Sequence, residues 1–189
     1  ATPDFTVADT ARYYINSVYW TDITTSSHKN LKETDVFEAG HTYELEVAGI
    51  KRDLELFPVS DTLKIAAFIL FGDVELTVKC AEALLKIAPE YDVMITAEAK
   101  SIPLIHEMAR LNGNQKYMLA RKGPKLYMTN ILSSSVKSIT TEKVQTLYLD
   151  GADAELMKGK RVLVVDDVIS TGESLLALEK LITDAGATV

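Results

Sequence analysis

Cysteine is almost missing from this 189-residue chain, where Cys80 stands alone. A single thiol builds neither a disulfide framework nor a cysteine-rich zinc site, and it fits a reducing compartment, so a cytoplasmic protein is expected. Histidine is scarce too. His28, His41 and His106 lie too far apart to show a metal-ligand spacing, and no protein-held metal is expected. Long apolar runs are absent: Ile65–Gly72 is closed by Lys64 and Asp73, well short of the roughly 20 residues of a bilayer-spanning helix, so no membrane partner is expected. Ala1-Thr2-Pro3-Asp4 shows neither the basic segment nor the apolar stretch of a secretory signal. Positive charge is also in deficit, with 20 Lys and Arg against 27 Asp and Glu and a net charge of −7. A surface that tracks nucleic-acid phosphates needs clustered basic residues, so nucleic acid is excluded as a partner and any phosphate must be held locally. What is present, 47% hydrophobic and 25% charged residues, is average for a folded domain and excludes a disordered or fibrous chain.

Residues 1–60 read as an N-terminal helix and hairpin region, and 61–189 as an α/β core, within one compact domain. Ala11, Tyr14, Ile15, Val18 and Tyr19 recur at helical spacing and predict a helix over Val7–Tyr19, followed by an exposed polar loop over Thr21–Asp35. Tyr43, Leu45 and Val47 alternate with Glu44 and Glu46, and Leu54 and Leu56 flank Glu55 beyond a turn at Gly49, which predicts a β-hairpin. Ser60 or Asp61 can cap a helix running through Phe71, and Asp73 a second over Val74–Ile87 that ends before Pro89.

From Tyr91 the pattern changes to short apolar strands alternating with amphipathic helices. Strands are predicted over Asp92–Thr96, Lys116–Ala120, Val144–Leu149 and Arg161–Val165, and helices over Pro103–Leu111 and Glu173–Ala185. A basic loop covers Arg121–Lys125, a turn lies near Gly159, and Ala187-Thr188-Val189 reads as the start of another strand. Such alternation implies a parallel sheet covered on both faces, with its ligand site beyond the carboxyl ends of the strands.

One of those ends carries the strongest chemical signal. In Arg161-Val162-Leu163-Val164-Val165-Asp166-Asp167-Val168-Ile169-Ser170-Thr171-Gly172-Glu173-Ser174 a buried strand runs into two carboxylates, and small and hydroxyl residues then open a helix. Backbone N–H groups can converge there on an anion, hydroxyls add donors, and the helix dipole favours negative charge. This is a phosphate cradle. Two acids beside it would repel a bare phosphate, but they suit a ligand that carries hydroxyls or a developing positive centre a few ångströms away, as ribose 5-phosphate does. A Walker A loop is excluded, because no Gly-x-x-x-x-Gly-Lys-Ser/Thr occurs.

Val162–Ser174 resembles the phosphoribosyl-pyrophosphate (PRPP) motif of type I phosphoribosyltransferases. The resemblance covers Tyr91–Val189 well and the N-terminal third in outline. It implies the parallel-sheet fold of that family, with an N-terminal hood and a flexible loop that closes over PRPP. It also implies that Asp166 and Asp167 face the ribose hydroxyls as catalytic residues, while Ser170, Thr171, Gly172, Glu173 and Ser174 wrap the 5-phosphate. Glu98-Ala99-Lys100-Ser101 is similar to the Glu-Ala-Arg-Gly pyrophosphate loop of adenine phosphoribosyltransferases, with Lys100 in place of arginine and Ser101 in place of glycine. Lysine there is a point charge without arginine's planar fork. Arg121 and Lys122 stand where the family often places a basic pair near the pyrophosphate.

Leu126–Lys143 corresponds to the closing loop, although its composition also fits an exposed hairpin. Its Ser133–Thr140 stretch looks like the xanthine-type loop, and without Tyr-x-x-Glu it supplies no loop glutamate. Phe57, in Leu56-Phe57-Pro58-Val59 of the hood, and Val168 are the expected base-binding residues. The resemblance thus implies a purine phosphoribosyltransferase with PRPP and a purine base, adenine first, as substrates. It further implies Mg²⁺ held mainly through the substrate, and a homodimer. A xanthine or guanine enzyme and a non-catalytic PRPP-sensing module are the alternatives.

Overall fold

The computed structural model describes residues 42–60, 63–137, 144–169 and 172–189. The helix predicted over Val7–Tyr19 and the loop after it lie outside the described residues. Strands β1 (Thr42–Val47) and β2 (Ile50–Ser60) form the expected antiparallel hairpin, with Val47 opposite Ile50 across an Ala48-Gly49 turn. Both turn residues have positive φ, 52° and 76°, as a two-residue hairpin matched to strand twist requires. Alternation sorts the side chains: Leu45 and Leu54 are buried, while Glu44, Glu46 and Glu55 face outward.

The helix predicted up to Phe71 is not formed. Leu63–Ala66 is instead strand β3, antiparallel to β2, so this hairpin straddles position 60. The unpaired edge of β2 decides the matter, since Phe57 pairs with Ile65, and the Ala67 N–H donates to the Glu55 carbonyl at 2.9 Å. Local helix propensity is weak beside such a demand.

Helix α1 (Val74–Ile87) begins at the expected cap, where the Asp73 carboxylate accepts from the Leu76 N–H at 3.0 Å. Arg52 Nε donates to the same carboxylate at 2.7 Å and ties the hairpin to the helix start. Leu76, Cys80 and Leu84 repeat every four residues and form the buried stripe, so the lone cysteine is a core residue.

The remaining elements are β4 (Val93–Ala97), α2 (Ile102–Leu111), β5 (Met118–Ala120), β6 (Leu132–Lys137), β7 (Val144–Leu149), α3 (Gly151–Met157), β8 (Val162–Val164) and α4 (Glu173–Asp184). Strands β5, β4 and β8 lie side by side in parallel, with Ile95 opposite both Met118 and Val164. Past β8, Thr188 makes a parallel bridge to Arg161, which fits the predicted terminal strand. Past β5, Arg121 and Tyr148 form an antiparallel bridge that brings up β7 and its partner β6.

Two elements correct the sequence reading. The segment read as an open loop contains β6, consistent with the hairpin alternative, because its serines pair with β7. A short helix, α3, precedes the turn at Gly159, capped by the Asp150 carboxylate.

Alternation along β4 and β8 explains their continuous apolar character. Ile95, Val162 and Val164 pack with Met157 and with Leu178, Leu181 and Ile182 of α4. Met94, Leu163 and Val165 pack on the other face against α1, α2 and the hairpin's Leu45 and Leu54. Each fully buried Leu or Ile contributes about 1.5–3 kcal/mol, so two such layers hold the strand ends rigidly. Among the described residues no helix is long and apolar enough to cross a membrane.

Candidate active site

Because β5, β4 and β8 are parallel neighbours, the segments that leave their carboxyl ends emerge together at one edge of the sheet. Glu98–Ser101 follow β4, Arg121 and Lys122 follow β5, and Asp166 and Asp167 come just after β8. Three predicted groups separated widely in sequence thus meet.

Ser101 links two of them. Its Oγ lies 2.6 Å from Asp166 Oδ1 and 2.9 Å from Asp167 Oδ1, and it accepts the Asp167 backbone N–H at 2.9 Å. The same N–H lies 3.0 Å from Asp166 Oδ1. Ser101 is 1% exposed and Asp167 7%. Burial, reinforced by the charge of Asp167, pushes the Asp166 carboxyl up to about 6, although the Ser101 hydroxyl opposes the shift. Among the described residues, Asp167 Oδ2 is buried without a hydrogen-bond partner. A vacant acceptor in such a place disfavours folding and favours any ligand that brings a donor, such as a sugar hydroxyl.

The second group is Glu98 with Arg121. Glu98 Oε2 accepts from Arg121 Nε at 3.2 Å and from the Lys122 backbone N–H at 3.0 Å. That N–H, with the charges of Arg121 and Lys125, holds the Glu98 carboxyl below its ordinary value against a partial burial cost. Arg121 Nη1 also donates to the Tyr127 hydroxyl at 3.1 Å. Arg121 is therefore oriented, while Lys100 and Lys122 are exposed. Ala99 is exposed between the two groups, and the Glu98–Ala99 peptide is cis.

The remaining predicted residues are more scattered. Ser170 and Thr171 lie outside the described residues. Gly172 has φ +77° at the N-cap of α4, a left-handed conformation that glycine adopts without strain, and Glu173 and Ser174 form the half-buried first turn. Val168 is 43% exposed just past the acid pair. Phe57 is 47% exposed on β2, opposite Ile65, so it belongs to the hairpin surface and not to the core.

Tyr127 and Tyr148 were not anticipated from the sequence. Tyr127 does sit within the stretch that follows the basic loop, which was its one visible signal. Tyr148 acts through its backbone, which exchanges hydrogen bonds with Arg121 at 2.7 and 2.8 Å, a contact that no local pattern announces.

Comparison with known proteins bears on the family and the fold. The family model for the phosphoribosyl transferase domain matches residues 76–189. A hypoxanthine/guanine phosphoribosyltransferase of Methanotorris igneus is 37% identical over 98 residues, which cover 52% of this chain and 49% of the relative. The protein of that name from Methanococcus maripaludis strain C6 is 31% identical over 134 residues, covering 71% and 65%. The chain thus spans about half to two thirds of these relatives. Among solved structures, adenine phosphoribosyltransferase from Thermoanaerobacter pseudethanolicus superposes with a TM-score of 0.61 at 23% identity, over 72% of this chain and 78% of the other. The Trypanosoma brucei adenine enzyme, in complex with AMP, pyrophosphate and ribose-5-phosphate, gives 0.55 at 21% identity over 70% and 57%. These structures show a shared α/β fold. With the family match covering more than half of its length, the chain belongs to the phosphoribosyltransferase family.

Proposed function

We propose that the chain is a purine phosphoribosyltransferase that transfers the 5-phosphoribosyl group of PRPP to a purine base. The observation that carries this reading is the pair Asp166 and Asp167, clamped by Ser101, with Asp167 Oδ2 left as a buried acceptor without a partner among the described residues. A purine ring nitrogen attacks C1 of the ribose. The bond from C1 to the pyrophosphate oxygen breaks with inversion, pyrophosphate leaves, and the base loses its proton. Asp166 and Asp167 accept hydrogen bonds from the ribose hydroxyls and offset positive charge on an oxocarbenium-like transition state.

Backbone N–H groups of the Ser170–Ser174 segment would hold the 5-phosphate, helped by the dipole of α4. Lys100, Arg121 and Lys122 would offset the charge of the departing pyrophosphate, with Glu98 orienting Arg121. Phe57 and Val168 offer exposed apolar surface for the base. The family resemblance implies Mg²⁺, which would be held mainly by the oxygens of PRPP itself. When bound, it neutralises part of the pyrophosphate charge.

Two bases compete within this reading. The sequence relatives at 31–37% identity are named for hypoxanthine and guanine, and the structural neighbours for adenine. Homodimerisation belongs to the proposal through the family resemblance alone, and a cytoplasmic location through the lone Cys80, which fits a reducing compartment. Incubation with PRPP, Mg²⁺ and separately adenine, guanine, hypoxanthine, xanthine or orotate tests it. The expected result is a nucleoside monophosphate and pyrophosphate with at least one purine and none with orotate. PRPP binding without turnover of any base would replace the enzyme with a sensing module.

A further inference from the structure

We propose that Ser101 is a positioning residue that clamps the Asp166–Asp167 pair and selects which carboxylate oxygen is presented to the ribose. The inference rests on the phosphoribosyl-transfer reading and on four observations.

Ser101 is the N-cap residue of α2, yet its side chain makes no cap hydrogen bond. A serine there ordinarily stabilises a helix by accepting a backbone N–H of its first turn. Here the hydroxyl is directed at the two acids, at 2.6 and 2.9 Å. Second, a hydroxyl has one proton to donate and two lone pairs. Ser101 Oγ already accepts the Asp167 N–H, so it donates to one carboxylate at a time, and its second close carboxylate contact calls for a proton from the acid. One serine thereby couples the two carboxyl groups.

Third, both contacts involve Oδ1, and at Asp167 this leaves Oδ2 without a partner among the described residues. Tethering one oxygen fixes the direction of the other. Fourth, the clamp joins the end of β4 to the end of β8, so the segment assigned to pyrophosphate and the acids assigned to ribose share one buried hydrogen-bond centre. Ser101 was expected among the pyrophosphate ligands, and its buried hydroxyl points to the acids.

Among the described residues, the groups that act on Asp166 are Ser101 from the start of α2 and Asp167. Lys100 beside it is exposed, and Glu98 is engaged by Arg121 and Lys122. The apolar Leu104 and Ile105 of α2, with α1, pack beneath.

The test compares wild type with Ser101→Ala, and with Ser101→Thr as the variant that keeps the hydroxyl. Steady-state kinetics with PRPP and the best base, thermal unfolding, and carboxyl ¹³C NMR titration of Asp166 and Asp167 are read together. In folded Ser101→Ala, kcat/KM for PRPP is expected to fall roughly 10- to 100-fold, the scale seen when a supporting hydrogen bond is lost from a site. KM for the base stays within about twofold, and the Asp166 titration moves upward because a donor to its ionised form is gone. Ser101→Thr recovers most of the loss.

Folded Ser101→Ala with wild-type PRPP kinetics and an unmoved titration would overturn the clamp. If wild type turns over no base, the enzyme reading fails by itself. The titration arm then still decides whether Ser101 sets the state of the acid pair.

Discussion

The two ends of β4 and β8 treat acids in opposite ways. At the amino ends, Arg161 donates through its backbone N–H, Nε and Nη2 to Asp92, at 2.8, 3.3 and 3.2 Å, and through Nη1 to Glu90 at 3.0 Å. These hydrogen bonds, from the side chain first and the backbone second, hold the Asp92 carboxyl below its ordinary value. At the carboxyl ends, two acids lie side by side with a serine between them, one pushed up to about 6 and the other with a buried oxygen left unbonded. The same pair of strands thus carries a satisfied end and an unsatisfied one. The satisfied end serves the fold, and the other end carries a local cost that a ligand hydroxyl would relieve under the proposed function.

Neutralising the acid pair should break this contrast most severely. Asp166→Asn and Asp167→Asn are each expected to lower turnover by about 100-fold or more, since both remove charge that acts in the transition state. Stability should move the other way at Asp166. Its folded carboxyl binds a proton more tightly than the unfolded chain does, so ionisation removes stability as pH rises from about 4 through about 6, by at most about 3 kcal/mol. Asp166→Asn is therefore expected to melt higher than wild type at pH 7 and to lose that part of the pH dependence, measured by thermal unfolding across pH 4–8. Asp92 has the opposite sign, because its lowered carboxyl supplies stability above the ordinary carboxylate range that is lost on further acidification.

A smaller effect sharpens the comparison. Ser134 Oγ in β6 is, with Asp167 Oδ2, a buried side-chain atom without a partner among the described residues. If it is a plain defect and Asp167 Oδ2 a functional vacancy, Ser134→Ala should gain about 1 kcal/mol in urea denaturation with kinetics unchanged. A loss of activity there would extend the site to β6.

The smallest effect belongs to the amino ends. Arg161→Ala is expected to leave kcat/KM within about twofold and to cause a modest, salt-sensitive loss of stability, because the two ion pairs it breaks are exposed. A large kinetic effect would show that the two ends are mechanically connected.

Much of this organisation was legible in the sequence because its cause is local. The apolar runs Val93–Ala97 and Val162–Val164 announce strands covered on both faces, and Asp73 and Pro89 bracket α1. The acid pair and the basic residues could be placed at one edge from the sequence because parallel strands deliver their following residues there. What was missed depends on partners distant in sequence. Leu63–Ala66 becomes a strand only because β2 has an open edge, and the Ser133–Ser135 run hides β6 because its pairing with β7 replaces an apolar pattern. Helix α3 did carry a signal, Asp150 followed by Ala154 and Met157, in a stretch short enough to read as a turn. Ser101 was singled out for its position in a loop, and its actual partners lie 65 and 66 residues onward.

The pairing of β4 with β8 also makes the site a gauge of correct assembly. Val93, Met94 and Ile95 stand opposite Val162, Leu163 and Val164. A slip of two residues would keep every side chain on its proper face and leave the apolar layers nearly as well buried. It would nonetheless carry Ser101 about 6–7 Å along the strand direction from the acids, at roughly 3.3 Å per residue, far beyond any hydrogen bond. A misaligned molecule could thus pass for native by compactness and secondary structure, and its catalytic silence would be the clearest sign of the error.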